Sequence, residues 1–148
     1  MSSAEVAANK ALFKRFHDAA NTGDIELLAN AIDELVAPDA VVRTPLPIDV
    51  TGAEALKQIW AMLFSVYPDI HVTVEDLIAE GDKVVARYTV RAATQEEEGI
   101  PSQKVEITGM TLFRIADGRI REVWIINDQM ELYRQLGFTI QPPESSKP

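Results

Sequence analysis

The chain has 148 residues, of which 47% are apolar and 25% charged, a composition typical of one folded domain in water. Its formal net charge of −9 repels phosphate backbones and anionic lipids, and no apolar run approaches the roughly 20 residues that span a bilayer, so neither nucleic acid nor a membrane is an expected partner. The sequence has no cysteine, which excludes disulfides and thiolate chemistry and suits a reducing cytoplasm.

The first half of the chain predicts helices, because apolar residues recur there at helical spacing. The predicted helices cover residues 5–21, residues 25–36 and a stretch from the Thr51-Gly52 pair to about residue 66. Gly23 suits the left-handed end of the first helix, Asp24 can cap the second, and Thr51 to Glu54 has the spacing of a capping box. A short strand over 39–44 separates the second and third helices. No basic stretch followed by an apolar one marks the N-terminus, so no signal peptide is expected.

From about residue 70 the apolar period changes to two, which indicates strands. The predicted strands cover residues 70–80, 83–93, 104–116 and 119–128. Hairpin turns at Gly81 and at Asp117-Gly118 join neighbouring strands, and an acidic loop covers 95–101. A short helix over 129–136 ends the regular structure.

These elements predict an α+β fold in one domain over residues 1–137, followed by a loose tail over 138–148. Helices followed by a four-stranded antiparallel meander cannot form a parallel sheet. The natural arrangement is a cone-shaped, strongly curved sheet with three helices packed in its concave side. Long strands and a helical lid leave a dead-end cavity in such a cone, and this cavity is the default site for a small ligand.

The last strand carries the best candidate for catalysis. Side chains two positions apart share a face, so Glu122, Trp124 and Asp128 lie together beside two isoleucines. If that face lines the cavity, Asp128 is a carboxylate in largely apolar surroundings, which favours its neutral form and suits it to proton transfer. The alternative is that Asp128 caps the next helix, since it directly precedes Gln129.

Short motifs follow one another in a distinctive order between residues 10 and 137. They are Asn21-Thr22-Gly23-Asp24, Thr51-Gly52, Tyr67-Pro68-Asp69, Gly81-Asp82, Gly99-Ile100-Pro101, Phe113 to Ile120, Glu122 to Asp128 and Arg134-Gln135-Leu136-Gly137. In this order they resemble the SnoaL-like polyketide cyclases of the nuclear transport factor 2-like superfamily. The resemblance implies an enzyme that closes a polyketide ring by intramolecular aldol addition, with no metal or cofactor.

The same resemblance implies a role for Asp128. This residue lies six positions before Arg134, where the family has its general acid/base. A carboxylate there would remove an acidic proton from between two carbonyl groups, while the protein folds the substrate into a reactive pose.

Three positions depart from what the resemblance implies. Thr111 stands where a histidine is implied on the third strand, Ala93 where one is implied on the second, and Arg43-Thr44 where a histidine or aspartate is implied. An epoxide hydrolase of this superfamily would need a second aspartate where Thr89 stands, two residues after Arg87. A related hydrolase or isomerase is therefore the second hypothesis, and a non-catalytic domain that binds a small ligand is the third.

Further side chains are expected to contact an apolar small-molecule ligand in the pocket. They are Trp124, Glu122, Thr111, Phe16, Trp60, Arg87 and Arg91. The two arginines share one face of the second strand. They enter the cavity near Asp128 if that face is concave, and they pair with acidic residues or lie in a dimer contact if it is convex.

The sequence has two histidines. His17 lies one step from Phe16 on the first helix and faces either solvent or the pocket, whereas His71 alternates outward on a strand. Neither has a histidine or an acidic cluster at metal-binding spacing, so no metal site is expected.

We expect a homodimer, because nothing in the chain covers the convex face of the sheet. The interface is predicted to use two rows of apolar side chains. On the last strand the row lies on the face opposite Trp124 and Asp128, and on the second strand it lies on the face opposite the two arginines. The rows are Val123 and Ile125 on the last strand and Val84, Ala86, Tyr88 and Val90 on the second. A twofold dimer would bury these rows against their own copies. The alternative is that the tail, through Phe138 and Ile140, covers part of that surface.

Overall fold

The computed structural model describes residues 3–48 and 50–144. Its helices and strands, in chain order, are α1 (Ser3–Ala20), α2 (Ile25–Leu35), β1 (Val36–Arg43), α3 (Ala53–Val66), β2 (His71–Glu80), β3 (Lys83–Ala93), β4 (Lys104–Ala116), β5 (Arg119–Asn127) and α4 (Gln129–Gln135). No helix within these ranges is long and apolar enough to cross a membrane. The predicted α+β fold is confirmed. Its curved sheet is open, and helices pack on the concave side.

The start of α2 is determined by two neighbouring residues that can be recognised in the sequence. Gly23 ends α1 in the left-handed conformation, with φ of 72°. The Asp24 carboxylate then accepts hydrogen bonds from the backbone N–H groups of Glu26 and Leu27, each at 3.1 Å. Both predictions for this turn are confirmed, and together they fix where α2 begins.

The start of α3 differs from the prediction of a capping box. Gly52 is the N-cap residue, with φ of 72°, and no side chain caps the helix there. A Cβ atom at this position would overlap the carbonyl oxygen of Pro38. Glycine is therefore needed because the backbone of β1 passes close to the start of α3, and the capping-box interpretation is wrong.

The sheet has the strand order β1-β5-β4-β3-β2, and β2 to β5 form the predicted antiparallel meander. The additional strand, β1, pairs in parallel with β5 at the sheet edge. Pro38 lies inside β1. An edge strand tolerates its missing N–H, and the pairing register shifts between Val36 and Val41.

The core lies between the concave face of the sheet and α1, α2 and α3. Its largest fully buried side chains include Phe13, Leu28, Leu56, Val84 and Val123. Burying one such side chain stabilises the fold by roughly 1.5–3 kcal/mol. Because these strand residues face inward, the alternating positions on β3 and β5 face the convex side.

The tail was predicted to be loose. Residues 138–144 form no helix or strand, and residues 145–148 lie outside the described ranges. The ring of Phe138 packs edge-on against Tyr133 of α4, with 5.7 Å between the ring centroids. Ile140 is 65% exposed, so neither side chain is buried against the sheet.

Candidate active site

A cavity of about 280 Å³ lies between the concave face of the sheet and helices α1, α3 and α4. Most of its lining is apolar, and Phe16 and Trp60 belong to it, as predicted. Its exposed lining residues are Met62, Val66 and Tyr133. The cavity therefore opens to solvent between the second half of α3 and α4.

Strand β5 presents Val123, Ile125 and Asn127 to this cavity. The prediction that the opposite face lines it, with Trp124 and Asp128, is wrong. The physical reason is a bulge, because the pairing of β5 with β4 shifts between Ile120 and Glu122 and leaves Arg121 as an extra residue. Ile120 and Val123 are consequently both fully buried, and alternation counted from Ile120 assigns every later residue to the wrong face.

Asp128 caps α4. Its Oδ1 atom accepts a hydrogen bond from the backbone N–H of Glu131 at 3.0 Å, and the residue is exposed. Among the described residues Asp128 is not part of the cavity lining. The structure thus supports the alternative role of a helix cap, and the catalytic role of Asp128 stays a prediction.

Glu122 and Trp124 lie on the convex face. The indole Nε1 of Trp124 donates a hydrogen bond to Glu122 Oε2 at 3.0 Å, and the Arg43 guanidinium lies 4.5 Å from the centre of a Trp124 ring. The hydrogen bond from Trp124, supported by Arg114, lowers the pKa of the Glu122 carboxyl. Their predicted placement in the pocket is therefore wrong, and their polar groups are satisfied by each other.

Arg87 and Arg91 also lie on the convex face. Arg87 Nε donates to Asp76 Oδ2 at 2.8 Å, and Arg91 Nε donates to Glu106 Oε1 at 2.7 Å. The alternative in which these arginines pair with acidic residues is confirmed, and the prediction that they contact a ligand in the cavity is not supported by their placement.

A polar network stands on the concave face where β3, β4 and β5 run side by side. The phenol of Tyr88 donates to Asn127 Oδ1 at 2.9 Å and lies 2.9 Å from Thr111 Oγ1. Thr111 also belongs to the cavity lining, as predicted. Burial raises the pKa of Tyr88, so the phenol stays protonated and can donate.

Gly109 makes this network possible. It lies opposite both Tyr88 and Asn127 in the strand pairing. A Cβ atom on Gly109 would overlap Asn127 Oδ1 and would come within 2.6 Å of the Tyr88 ring. The absence of a side chain on β4 therefore lets the phenol reach across the middle strand.

His17 of α1 also lines the cavity. Its ring stacks on Phe13, with centroids 5.5 Å apart, and its centroid lies 6.3 Å from that of Tyr88. The Nε2 atom is buried and, among the described residues, has no hydrogen-bond partner. Burial lowers the pKa of the imidazole, although a hydrogen bond with the backbone of Val72 opposes this shift. Of the two placements considered for His17, the structure supports the pocket.

The sequence did contain a signal for His17. It follows Phe13 by four positions, which puts both side chains on one helix face, and Phe13 is one of the largest buried residues. His71, by contrast, is exposed on β2, as expected. Nowhere in the described part of the chain do three His, Asp or Glu side chains come together as a metal ion would require.

The family profile described as "SnoaL-like polyketide cyclase" matches residues 10–136. The chain belongs to this family. A comparison with curated proteins gave no match.

Solved structures of similar proteins cover almost the whole SnoaL-like chain. TsrD from Streptomyces laurentii is 29% identical, with 93% of this chain and 98% of that one covered and a TM-score of 0.72. IdmH from Streptomyces antibioticus, assigned as a polyketide cyclase, is 30% identical, with 88% and 99% covered and a TM-score of 0.72. AclR from Streptomyces galilaeus, assigned as a hydroxylase, is 26% identical, with 89% and 97% covered and a TM-score of 0.71.

Helix α4 completes the wall of the SnoaL-like cavity. Leu132 and Leu136 line it, although no residue of α4 is buried. The side chain of Gln135 holds the helix against the backbone of Glu106 on β4, with one hydrogen bond accepted and one donated, each at 2.8 Å. Leu132 and Leu136 also pack against a small buried cluster that includes Tyr67 and Ile70.

Proposed function

We propose that this SnoaL-like protein is a cofactor-independent enzyme that closes a ring in an apolar, polyketide-like molecule by intramolecular aldol addition. The observation that carries the proposal is the cavity itself. Its lining is apolar except for a few polar side chains, among which His17, Tyr88, Thr111 and Asn127 come from neighbouring elements. A mostly apolar pocket with few, convergent polar groups is typical of a site for a small organic ligand.

The intramolecular aldol addition requires only that the protein folds the substrate, assists proton transfer and stabilises negative charge on oxygen. A proton leaves a carbon between two carbonyl groups, that carbon attacks a ketone in the same molecule, and the ketone oxygen becomes a hydroxyl group. The apolar walls favour a folded substrate, which brings the reacting carbons together. Protein O–H and N–H groups can stabilise the negative charge that develops on oxygen.

The cavity wall offers such groups on the sheet side. Tyr88 and Thr111 carry hydroxyl groups within hydrogen-bond distance of each other. The Asn127 side chain accepts from Tyr88 through its oxygen, which leaves its amide N–H groups for a ligand. The volume of about 280 Å³ lies near the lower end of the usual range for ligand sites, roughly 300–1,000 Å³, so a compact substrate with few fused rings fits best.

The structure gives no support to the epoxide hydrolase hypothesis. That chemistry would need an arginine in the pocket, and Arg87 and Arg91 pair with Asp76 and Glu106 on the other side of the sheet. The hypothesis of a non-catalytic binding domain predicts ligand binding without turnover, and a rate measurement separates it from the proposal.

A suitable test substrate is methyl 4-(2-acetylphenyl)-3-oxobutanoate. Its carbon between ketone and ester can attack the acetyl group to close a six-membered ring, and loss of water then gives a naphthol. We expect the protein to accelerate this reaction above the buffer rate, measured as naphthol fluorescence and by mass spectrometry. An unchanged rate, with the substrate bound, would favour the non-catalytic domain.

A matched pair of variants ties the rate to the cavity. Ile125 lines the cavity, whereas Ile126, its neighbour on β5, is 67% exposed on the convex face. Ile125→Trp should fill the cavity and bring the rate to that of buffer, and Ile126→Trp should keep the activity. Equal effects of the two substitutions would place the reaction elsewhere.

A further inference from the structure

The Nε2 atom of His17 is a buried polar atom without a partner. The side chain that carries it lines the cavity, and within residues 3–48 and 50–144 this atom is the one buried side-chain nitrogen or oxygen that makes no hydrogen bond. Folding removes such an atom from water without compensation, which is unfavourable. An unpaired nitrogen on a side chain that lines a cavity indicates a ligand group that forms the missing hydrogen bond.

The ring of His17 packs on one side against Phe13, at an interplanar angle of 15°. The nearby backbone of Val72 raises the pKa of the imidazole. In the neutral tautomer with its proton on Nδ1, the Nε2 atom has an acceptor lone pair.

The backbone of Val72 is itself fixed by a side chain. Asn21, just after α1, donates through Nδ2 to the Val72 carbonyl at 2.8 Å and accepts from the Val72 N–H through Oδ1 at 2.9 Å. This pair of hydrogen bonds ties the end of α1, which carries His17, to the start of β2. Asn21 is thus a positioning residue for the imidazole.

We infer that Nε2 of His17 is the atom that takes the proton from the substrate, a role that the family resemblance assigns to Asp128. The inference rests on the proposed function and names the base for it. His17 lines the cavity and its buried Nε2 atom has no hydrogen-bond partner among the described residues, whereas the Asp128 carboxylate caps α4 and is exposed.

The step balances without a further reactant. The C–H bond between two carbonyl groups breaks, its proton goes to Nε2, and its electron pair forms an enolate. The enolate carbon forms a C–C bond to the ketone carbon, and the C=O electron pair moves to oxygen. That oxygen then takes the proton back from Nε2, so the product is an isomer of the substrate and the imidazole is neutral again.

The inference also predicts what the cavity prefers to bind. An acceptor nitrogen in an apolar wall selects a ligand with an acidic hydroxyl group, such as an enol or a phenol, over an apolar ligand of the same shape. 2-Naphthol and 2-methylnaphthalene form such a pair, since a hydroxyl group replaces a methyl group of similar size.

The experiment measures dissociation constants of both naphthalenes by equilibrium dialysis for the wild-type protein, His17→Phe and Asp128→Asn. Phenylalanine keeps the stack on Phe13, and asparagine keeps the helix cap. We expect wild type and Asp128→Asn to prefer 2-naphthol by about five- to tenfold, the effect of one hydrogen bond, and His17→Phe to lose this preference. If His17→Phe does not fold, His17→Leu, which also lacks an acceptor, takes its place.

A second readout separates a direct contact from a structural effect. In wild-type protein labelled with ¹⁵N, the Nε2 resonance of His17 should shift with 2-naphthol and stay in place with 2-methylnaphthalene. A preference that is lost in Asp128→Asn alone, kept in all variants or absent from wild type would overturn the inference while leaving the proposed function intact. Failure of both naphthalenes to bind would overturn the proposed function itself.

Discussion

The phenol of Tyr88 reaches across Gly109 to donate a hydrogen bond to Asn127 Oδ1 at 2.9 Å. Three adjacent strands thus contribute to one contact, and the middle strand contributes only the absence of a side chain. The contact lies in the wall of the cavity, so the packing of the sheet and the polarity of the proposed site depend on the same residues.

Gly109→Ala should therefore destabilise the protein. The new Cβ would overlap Asn127 Oδ1 and crowd the Tyr88 ring, and overpacking of this kind costs about 1–3 kcal/mol. Urea unfolding gives the difference in the free energy of unfolding. Thr108→Ala, at the exposed preceding position of β4, is the control and should cost less. An unchanged midpoint for Gly109→Ala would mean that the Tyr88–Asn127 contact does not form.

Protonation of His17 should make stability depend on pH. Burial lowers the pKa of the folded imidazole below 6.5; the backbone of Val72 and the Asp18 carboxylate on α1 oppose this shift, and His71 on β2 adds to it. The nearby Tyr88 on β3 stays neutral, since its pKa is raised. The unfolded chain therefore binds the proton first, and stability falls as the pH drops below 6.5 through the folded pKa.

The check is urea unfolding between pH 7.5 and pH 5 for wild type, His17→Phe and the exposed-site control His71→Gln. His17→Phe should flatten the dependence, because phenylalanine cannot take up a proton, and His71→Gln should largely keep it. Parallel curves for wild type and His17→Phe would mean that the imidazole is not buried in solution.

Asp128 should matter for the stability of α4. Asp128→Ala removes the acceptor of the Glu131 N–H, which typically costs about 1 kcal/mol, whereas Asp128→Asn keeps a capping oxygen and should cost much less. Circular dichroism during urea unfolding measures both. Equal stability of the two variants would argue against the capping role.

A homodimer stays a prediction, but the residues that would form it change. The rows predicted to form the interface instead belong to the core, or pack against it, on the concave side. They are Val123, Ile125, Val84, Ala86, Tyr88 and Val90. The convex face instead carries Met110, Trp124 and Ile126, which are 48%, 44% and 67% exposed. Met110 and Ile126 are direct neighbours across β4 and β5, so they form one apolar patch.

Light scattering at micromolar concentration tests this patch. Wild type should have the mass of a dimer, and Ile126→Asp should shift it toward the monomer, because a charge would be buried in the interface. Ile100→Asp, at a loop position that is 64% exposed, should remain dimeric. A monomeric wild-type protein would contradict the prediction.

Much of the fold could be predicted because local rules decide it. Asp24 caps a helix by its own chemistry, and period-two alternation marks β2 to β5. The face of β5 could not be predicted in the same way. The bulge at Arg121 arises from pairing with β4, and one extra residue reverses every later assignment.

The site depends on the same kind of long-range information. Phe16, Trp60 and Thr111 were predicted in the cavity and lie there. Helical spacing alone does not decide whether His17 faces solvent or the pocket, because it does not show which side of the helix the sheet covers. Its unpaired Nε2 atom becomes visible only once α1 is packed on β2 and β3.

The position of α4, outside the main core, has a consequence for how this family could diversify. Leu132 of the helix and Leu136, its C-cap residue, line the cavity, no residue of the helix is fully buried, and Gln135 ties it to β4. The size of the accepted molecule can therefore change through substitutions in α4 that leave the main core untouched. The proposed base, His17, stands on α1, and the hydroxyl groups of Tyr88 and Thr111 stand on the sheet, so under the proposed function a new substrate could be acquired without rebuilding the chemistry.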